Sequence, residues 1–184
     1  MKYVLIVLIP CFLFAQEPFF KETFDQMSFG SFFDQNWTVK NIQGENSWRV
    51  SSHKKSTTGL YAKISGYKGS ENEEDWLVLK KDLSSCYKAS LEFETATGYY
   101  KHNGLSIWIH DTENIMEKGK KVEKVNLASK KDLKKYNFSP FVSSGKIDIS
   151  EFCGGMFYVG FRYLGNNSNE STTFELDNVQ ISIK

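Results

Sequence analysis

A chain of 184 residues, 40% hydrophobic and 15% aromatic, carries enough apolar mass for the core of a single domain. With 24% charged residues and a formal charge of +1, it lacks the basic excess that bulk electrostatic binding of nucleic acid requires. The overall charge points to no partner of either sign.

The first fifteen residues differ from the rest. Met1-Lys2 gives a short positive start, residues 3–14 are nearly all apolar, and Ala15 precedes Gln16-Glu17-Pro18. This reads as a secretory signal peptide cleaved after Ala15. The run is shorter than the roughly 20 residues of a membrane span. A lipoprotein variant would modify Cys11, but Pro10 and the very short run ahead of it count against lipidation. The expected mature chain, 16–184, is one secreted or surface-exposed domain without a transmembrane segment. It keeps 22 basic and 22 acidic residues and two cysteines, Cys86 and Cys153. In an oxidising compartment these two either pair or stay as half-buried thiols. Similar phrases precede them, Asp82-Leu83-Ser84 and Asp148-Ile149-Ser150, but spacing alone does not decide between the two states.

Period-two patterning dominates the mature chain. It predicts strands over 19–24, 37–42, 47–51, 60–65, 76–80, 89–97, 105–110, 122–127, 146–149, 157–164 and 173–183, with turn-rich segments 66–74, 99–104 and 165–171 among them. Many short strands at this spacing predict an all-β sandwich or jelly roll. Helix competes only at 128–136, which is lysine-rich and has no β-branched residue. Lysines 118, 120, 121, 124, 130, 131, 134 and 135 crowd this region. A solvated connection accounts for them more simply than an anionic-polymer contact.

Three strands have two distinct faces. Ala89, Leu91, Phe93 and Thr95 oppose Glu92 and Glu94. Leu105, Ile107 and Ile109 oppose Ser106, Trp108 and His110. Phe157, Val159, Phe161 and Tyr163 oppose Tyr158, Gly160 and Arg162. The first set in each strand predicts core, and the second a polar outer face carrying aromatics.

An ordered series of phrases runs through the mature chain. Glu22-Thr23-Phe24-Asp25 is followed by Trp37, a Gly-Glu-Asn turn and Trp48. Ile64-Ser65-Gly66-Tyr67 and Asn72-Glu73-Glu74-Asp75-Trp76-Leu77-Val78 come next, then Asp82-Leu83-Ser84 and Leu91-Glu92-Phe93. Asp148-Ile149-Ser150, Tyr158-Val159-Gly160-Phe161-Arg162-Tyr163 and Glu175-Leu176-Asp177-Asn178-Val179 complete it. Over about 19–184 the series resembles the choice-of-anchor J, or cleaved-adhesin, type of domain found in secreted proteins of Bacteroidetes. The resemblance implies a jelly-roll (galactose-binding-like) antiparallel β-sandwich, similar to carbohydrate-binding and adhesin modules and often holding structural calcium. The lysine-rich stretch departs from the family pattern, and no sorting segment follows Lys184.

Two carboxylates sit on apolar faces in the sequence pattern: Glu22 between Phe20 and Phe24, and Asp177 in phase with Val179, Ile181 and Ile183. An unpaired carboxylate facing a core costs several kcal/mol unless a cation or dense hydrogen bonding meets it. Calcium takes such oxygens. In the family these first-strand and last-strand acids lie close together, so Glu22, Asp25, Asp75 and Asp177 are the expected ligands of a structural calcium ion. The competing reading solvates each acid or pairs it with a base such as Arg162.

Enzyme signatures are weak. His53, His102 and His110 form no His-Glu-x-x-His pattern, and there is no Gly-x-Ser-x-Gly elbow. Glu92 and Glu94 would sit about 6.5–7 Å apart at the backbone, near the inverting glycosidase spacing, as many solvent-facing strand acids do. A binding face is the better expectation: Trp108 and Tyr158 would stack on sugar rings while Arg162, Glu92 and Glu94 bond hydroxyls. The alternative covers Trp108 and Tyr158 with a loop. The expected function is thus a secreted, non-catalytic module binding an extracellular glycan or surface protein. The rivals are a structural or protein-interaction subunit and a small glycan hydrolase. Asn36, Asn166 and Asn169 lie in N-glycosylation sequons that matter only in a host that uses them.

Overall fold

The computed structural model describes residues 18–28, 30, 36–53, 59–134 and 137–184. The predicted signal segment and Cys11 lie outside these residues. The described residues form twelve strands: β1 (Phe20–Glu22), β2 (Trp37–Gln43), β3 (Arg49–Ser51), β4 (Tyr61–Ser65), β5 (Glu73–Asp82), β6 (Ala89–Gly98), β7 (Leu105–His110), β8 (Lys120–Lys121), β9 (Val142–Ser143), β10 (Ile147–Asp148), β11 (Met156–Gly165) and β12 (Thr173–Ile183). One four-residue helix, α1 (Ile115–Lys118), stands between β7 and β8.

All pairings are antiparallel, in two sheets. One runs β2-β5-β11-β7-β8. The other runs β10-β6-β12-β4-β3, with β1 alongside the second half of β12 and β9 alongside β6. The chain switches sheets repeatedly; two of the crossings are the segment between β5 and β6 and the segment between β10 and β11. This is the jelly-roll sandwich that the alternation predicted.

Alternate side chains of both sheets turn inward and exclude water. Leu77 and Leu79, Ile107 and Ile109, and Phe157, Val159, Phe161 and Tyr163 come from one sheet. Val50, Ala62 and Ile64, Leu91 and Phe93, Phe174, Leu176, Val179 and Ile181 come from the other. Phe93 meets Phe161 edge-on across the interface, with centroids 5.1 Å apart. Burying each Phe or Leu contributes roughly 1.5–3 kcal/mol.

The last strand departs from the simple alternation. Phe174 and Leu176 point inward, and so do Val179 and Ile181, so the parity changes once. A bulge between Asp177 and Gln180 makes the change, with Asn178 at φ 50°. Asn tolerates that left-handed conformation better than most residues. The consequence corrects the sequence reading: Asp177 shares its face with Glu175, not with Val179 and Ile181, and it points out of the core.

Residues 122–127 form no strand. Val122 N–H donates to Ile107 O, and Val122, Val125 and Leu127 pack against the core at the open side of the sandwich. The segment then reaches the other sheet, where Ala128 N–H donates to Thr95 Oγ1. At 128–136 the described part forms only a short 3-10 turn, Lys130–Asp132, and residues 135 and 136 lie outside the described set. Cys86 and Cys153 are joined as a disulfide closing a 67-residue separation. The bond staples the two crossover segments, which also exchange Leu83 N–H to Gly155 O and Gly154 N–H to Leu83 O.

Candidate functional site

The two outer faces of the sandwich differ. On the five-stranded sheet, Trp76, Val78, Trp108, Tyr158 and Arg162 point outward, and they are covered. Ile115 of α1 is 1% exposed and packs with Trp76, Val78 and Tyr158 into a second small apolar cluster. Trp76 and Trp108 meet tilted at 54° with centroids 5.8 Å apart, and the Arg162 guanidinium lies 5.5 Å and 5.8 Å from their ring centres. Arg162 Nε donates to Glu74 Oε1 at 2.9 Å, and the Trp76 indole donates to the same oxygen at 3.1 Å. Burial pushes the Glu74 carboxyl up, but these two hydrogen bonds and the Arg162 charge together outweigh it and hold it low. Gly160 carries no Cβ where Trp76 lies across β11; a methyl there would sit 2.8 Å from the indole. Of the residues expected to bind ligand on this face, Tyr158 is buried, while Trp108 and Arg162 are half-buried against Trp76. Trp108 stays half-buried with its indole on Ser106 Oγ, and α1, not the lysine-rich segment, closes this face.

Glu92 and Glu94 lie on the other side of the molecule, on the outer face of the seven-stranded sheet, so the structure does not bring them to Trp108. Glu92 accepts from Ser143 and Gln180, and Glu94 from Asn178 at 2.7 Å. They line a small acidic hollow with Lys21.

This face is open at its opposite end. Because Val50, Ala62, Ile64 and Phe174 point inward, Arg49, Lys63, Ser65 and Thr173 point outward and floor a cleft of ≈ 470 Å³. Asn46, Tyr67, Tyr99, Lys101 and Ser171 line it from the loops. Tyr67 is 66% exposed and Tyr99 58%. Neither was singled out in the sequence, because both lie in segments read only as turns. An aromatic beside a turn glycine, as in Gly66-Tyr67 and Gly98-Tyr99, was the available signal.

Buried polar contacts fix the rim. Glu73, 2% exposed, accepts backbone N–H bonds from Glu45, Asn46 and Ser70, which locks the turns bearing Asn46 and Tyr67 together. Gly44, at φ 104°, leaves room for that carboxylate; a Cβ there would lie 2.2 Å from it. The Tyr163 hydroxyl accepts from Gly66 N–H at 2.8 Å and lies 3.2 Å from the carbonyls of Glu170 and Thr172. Tyr99, at φ 48°, is held by its N–H on Asn137 O and by Phe138, whose ring meets it edge-on at 5.2 Å. Lys101 Nζ donates to Ser168 O at 2.7 Å, and its backbone N–H donates to Thr172 Oγ1.

Beside Lys63, on the same outward face of the sheet but covered, lies Glu175, 0% exposed. No hydrogen bond of standard geometry reaches its oxygens among the described residues. His53 Nε2 is 3.3 Å from Oε2. Burial pushes its carboxyl up to about 7, against the pull of Lys63 and the Tyr61 hydroxyl. Burial also lowers the Lys63 ammonium; Glu175 draws it back up and Arg49 pushes it further down.

The expected calcium ligands divide. Glu22 and Asp177 lie at the junction of β1 with β12, and Asp25 follows shortly after β1. Burial first, then repulsion from Asp25, Glu94 and Glu22, raises Asp177 to about 7. Glu22 accepts from Phe24 N–H and the Trp37 indole, and Asp25 from Leu60 N–H. Asp75 does not join them. It sits on β5 in the other sheet, directed inward opposite Tyr163, with both oxygens buried and without a hydrogen bond among the described residues. Burial, then Glu73 and Glu74, pushes Asp75 up to about 7. The oxygen-only donors at the β1–β12 junction suit calcium chemically. Among the described residues, however, no three acidic, His or Cys side chains are grouped closely enough to hold a metal by themselves.

The fold is that of the β-sandwich adhesin and carbohydrate-binding domains. The K1 cleaved adhesin domain of Lys-gingipain from Porphyromonas gingivalis W83 superposes with a TM-score of 0.62 at 13% identity, over 90% of this chain and 98% of that one. The K3 domain of the same protein gives 0.57 at 13%, over 90% and 99%. TmCBM61, solved in complex with β-1,4-galactotriose, gives 0.56 at 12%, over 92% and 100%. No family model and no curated protein matches the sequence. Among the described residues, no helix is long and apolar enough to cross a membrane.

Proposed function

We propose that the chain is a secreted, non-catalytic module of the choice-of-anchor J type that binds a glycan in the cleft on its seven-stranded sheet. One observation carries the reading: two exposed tyrosines stand over a strand-built polar floor on the one broad face that α1 leaves open. Aromatic rings offer flat apolar faces to sugar rings, while Asn, Ser, Thr and basic groups supply donors to hydroxyls. The likeness in fold to a module solved with a galactose trisaccharide supports the same reading. The test is a glycan array followed by calorimetry on the hits. Tyr67→Ala and Tyr99→Ala should each weaken binding by about tenfold. No hit on the array, alongside capture of one defined protein partner, would replace the glycan with a protein. Turnover of a polysaccharide that disappears in Glu92→Gln or Glu94→Gln would make the chain an enzyme. Export is checked by the first residue of the secreted protein, expected at Gln16.

We also propose a structural calcium ion at the β1–β12 junction. Glu22, Asp25 and Asp177 would contribute ligands, with the rest of the shell from backbone carbonyls and water. The support is electrostatic: the charges of Asp25, Glu94 and Glu22 all raise the Asp177 carboxyl, and none of these four acids forms an ion pair among the described residues. A chelator should lower the Tm, and Glu22→Ala with Asp177→Ala should abolish that response. An unchanged Tm in chelator refutes the ion.

A further inference from the structure

The cleft has a polarity that the chain as a whole lacks. Arg49, Lys63 and Lys101 line it, and among the described residues no acidic side chain does. The formal charge of the protein is only +1, so this clustering is local. The same outer face ends in the acidic hollow of Glu92 and Glu94 at its other extreme. From this we infer that the cleft selects acidic saccharides, with a carboxylate or sulfate ester on the sugar seated between Arg49 and Lys63; the inference rests on the glycan-binding reading above.

The register of the strands supplies the argument. Arg49 and Lys63 are directly opposite each other on β3 and β4, and Lys63 in turn is opposite Glu175 on β12. Like charges facing each other across a ladder are destabilising, and an anion between them removes that repulsion. Glu175 does not serve that purpose for Arg49. It is fully buried on the far side of Lys63, and among the described residues Arg49 makes no ion pair. The guanidinium is solvent-exposed on β3, at the edge of the sheet, with a planar fork of donors suited to two oxygens of one anion. Lys101 faces the same space from the loop after β6, fixed there by Ser168 and Thr172. Tyr67 and Tyr99 flank the basic groups, so a sugar ring can stack while its acidic substituent is held.

The experiment is calorimetry of the full chain with three probes of equal length: an oligogalacturonate, a sulfated oligogalactan and the neutral oligogalactan. Each is titrated at low and at high salt. At least one acidic probe should bind roughly tenfold or more tighter than the neutral one, the worth of a charge-assisted bond. The preference should shrink at high salt. Arg49→Gln, at an exposed edge position, should remove most of it while leaving the Tm unchanged; Lys101→Gln serves if that variant misfolds. Preference for the galacturonate assigns a carboxylate, and preference for the sulfated probe assigns a sulfate ester. Equal binding of neutral and acidic probes, unaffected by Arg49→Gln, overturns the inference and leaves the glycan-binding module standing. Absence of binding to any saccharide overturns both. Binding of oligoglutamate as tight as that of the acidic sugars overturns the saccharide specificity.

Discussion

The outward side chains of the two sheets began as equivalent candidates, and the structure puts them to opposite uses. On the five-stranded sheet, Trp76, Trp108, Tyr158 and Arg162 are closed under four residues of helix and an ion pair to Glu74. On the seven-stranded sheet, the cleft-lining aromatics sit in the loops, and the strands below offer Arg49, Lys63, Ser65 and Thr173. Large aromatics on a strand are too costly to leave in water and attract a cover. Aromatics on a loop that is itself held by Glu73 and Tyr163 can stay exposed because the neighbouring polar groups are already satisfied.

That contrast can be broken in order of size. Trp76→Ala, on the closed face, should cost about 3–5 kcal/mol of stability, as large buried aromatics do. Chemical denaturation measures it, and a cost below about 1 kcal/mol would mean that the face is not a packed core. On the same strand, Asp75 points the other way, into the core. Its carboxyl titrates near 7 when folded, against 3.8 in the unfolded chain, so the folded state holds the proton longer. Stability from this group is fully present below about pH 4 and is lost as pH rises toward 7, by something on the order of 2–4 kcal/mol. Asp75→Asn should flatten that part of the Tm-versus-pH curve; a parallel curve refutes it. On the open face, Tyr67→Ala should move stability by no more than about 0.5 kcal/mol while weakening glycan binding. A large loss of Tm would show that the tyrosine is core instead. The smallest effect is the most specific. Tyr99→Gly relieves the strain of φ 48° but gives up the ring contact with Phe138 and loosens the unfolded chain, so denaturation should show a change of no more than about 0.3 kcal/mol while affinity still falls.

Much of the fold was legible because alternation is local. The inward sets of 89–95, 105–109 and 157–163 stand as the pattern gave them, and Trp108, Tyr158 and Arg162 do point away from the main core. What covers them was not legible. A four-residue helix has no periodicity to detect, and its role depends on Ile115 reaching a strand that lies 43 residues later at Tyr158. Residues 122–127 have strand composition, but their apolar groups plug the side of the sandwich without pairing. The Asn178 bulge reversed the direction of Asp177, which no alternation rule can foresee from one chain. Of the acids expected around calcium, Asp75 stands on β5 in the other sheet from Asp177, because strand alternation does not reveal which sheet a strand joins. The disulfide stood among two open options until the crossovers were seen to run side by side.

The pairing of β1 with β12 has a geometric consequence. Phe20 lies opposite Ile181, and Lys184 is bonded to Lys88, so the first and last strands meet at the pole that carries the Cys86–Cys153 staple. Thr173, Ser65 and Gly98 mark the other pole, beyond the far end of an eleven-residue strand about 35 Å long. A tether attached at either extremity would hold the module at this cross-linked pole and leave the basic cleft facing away from the point of attachment.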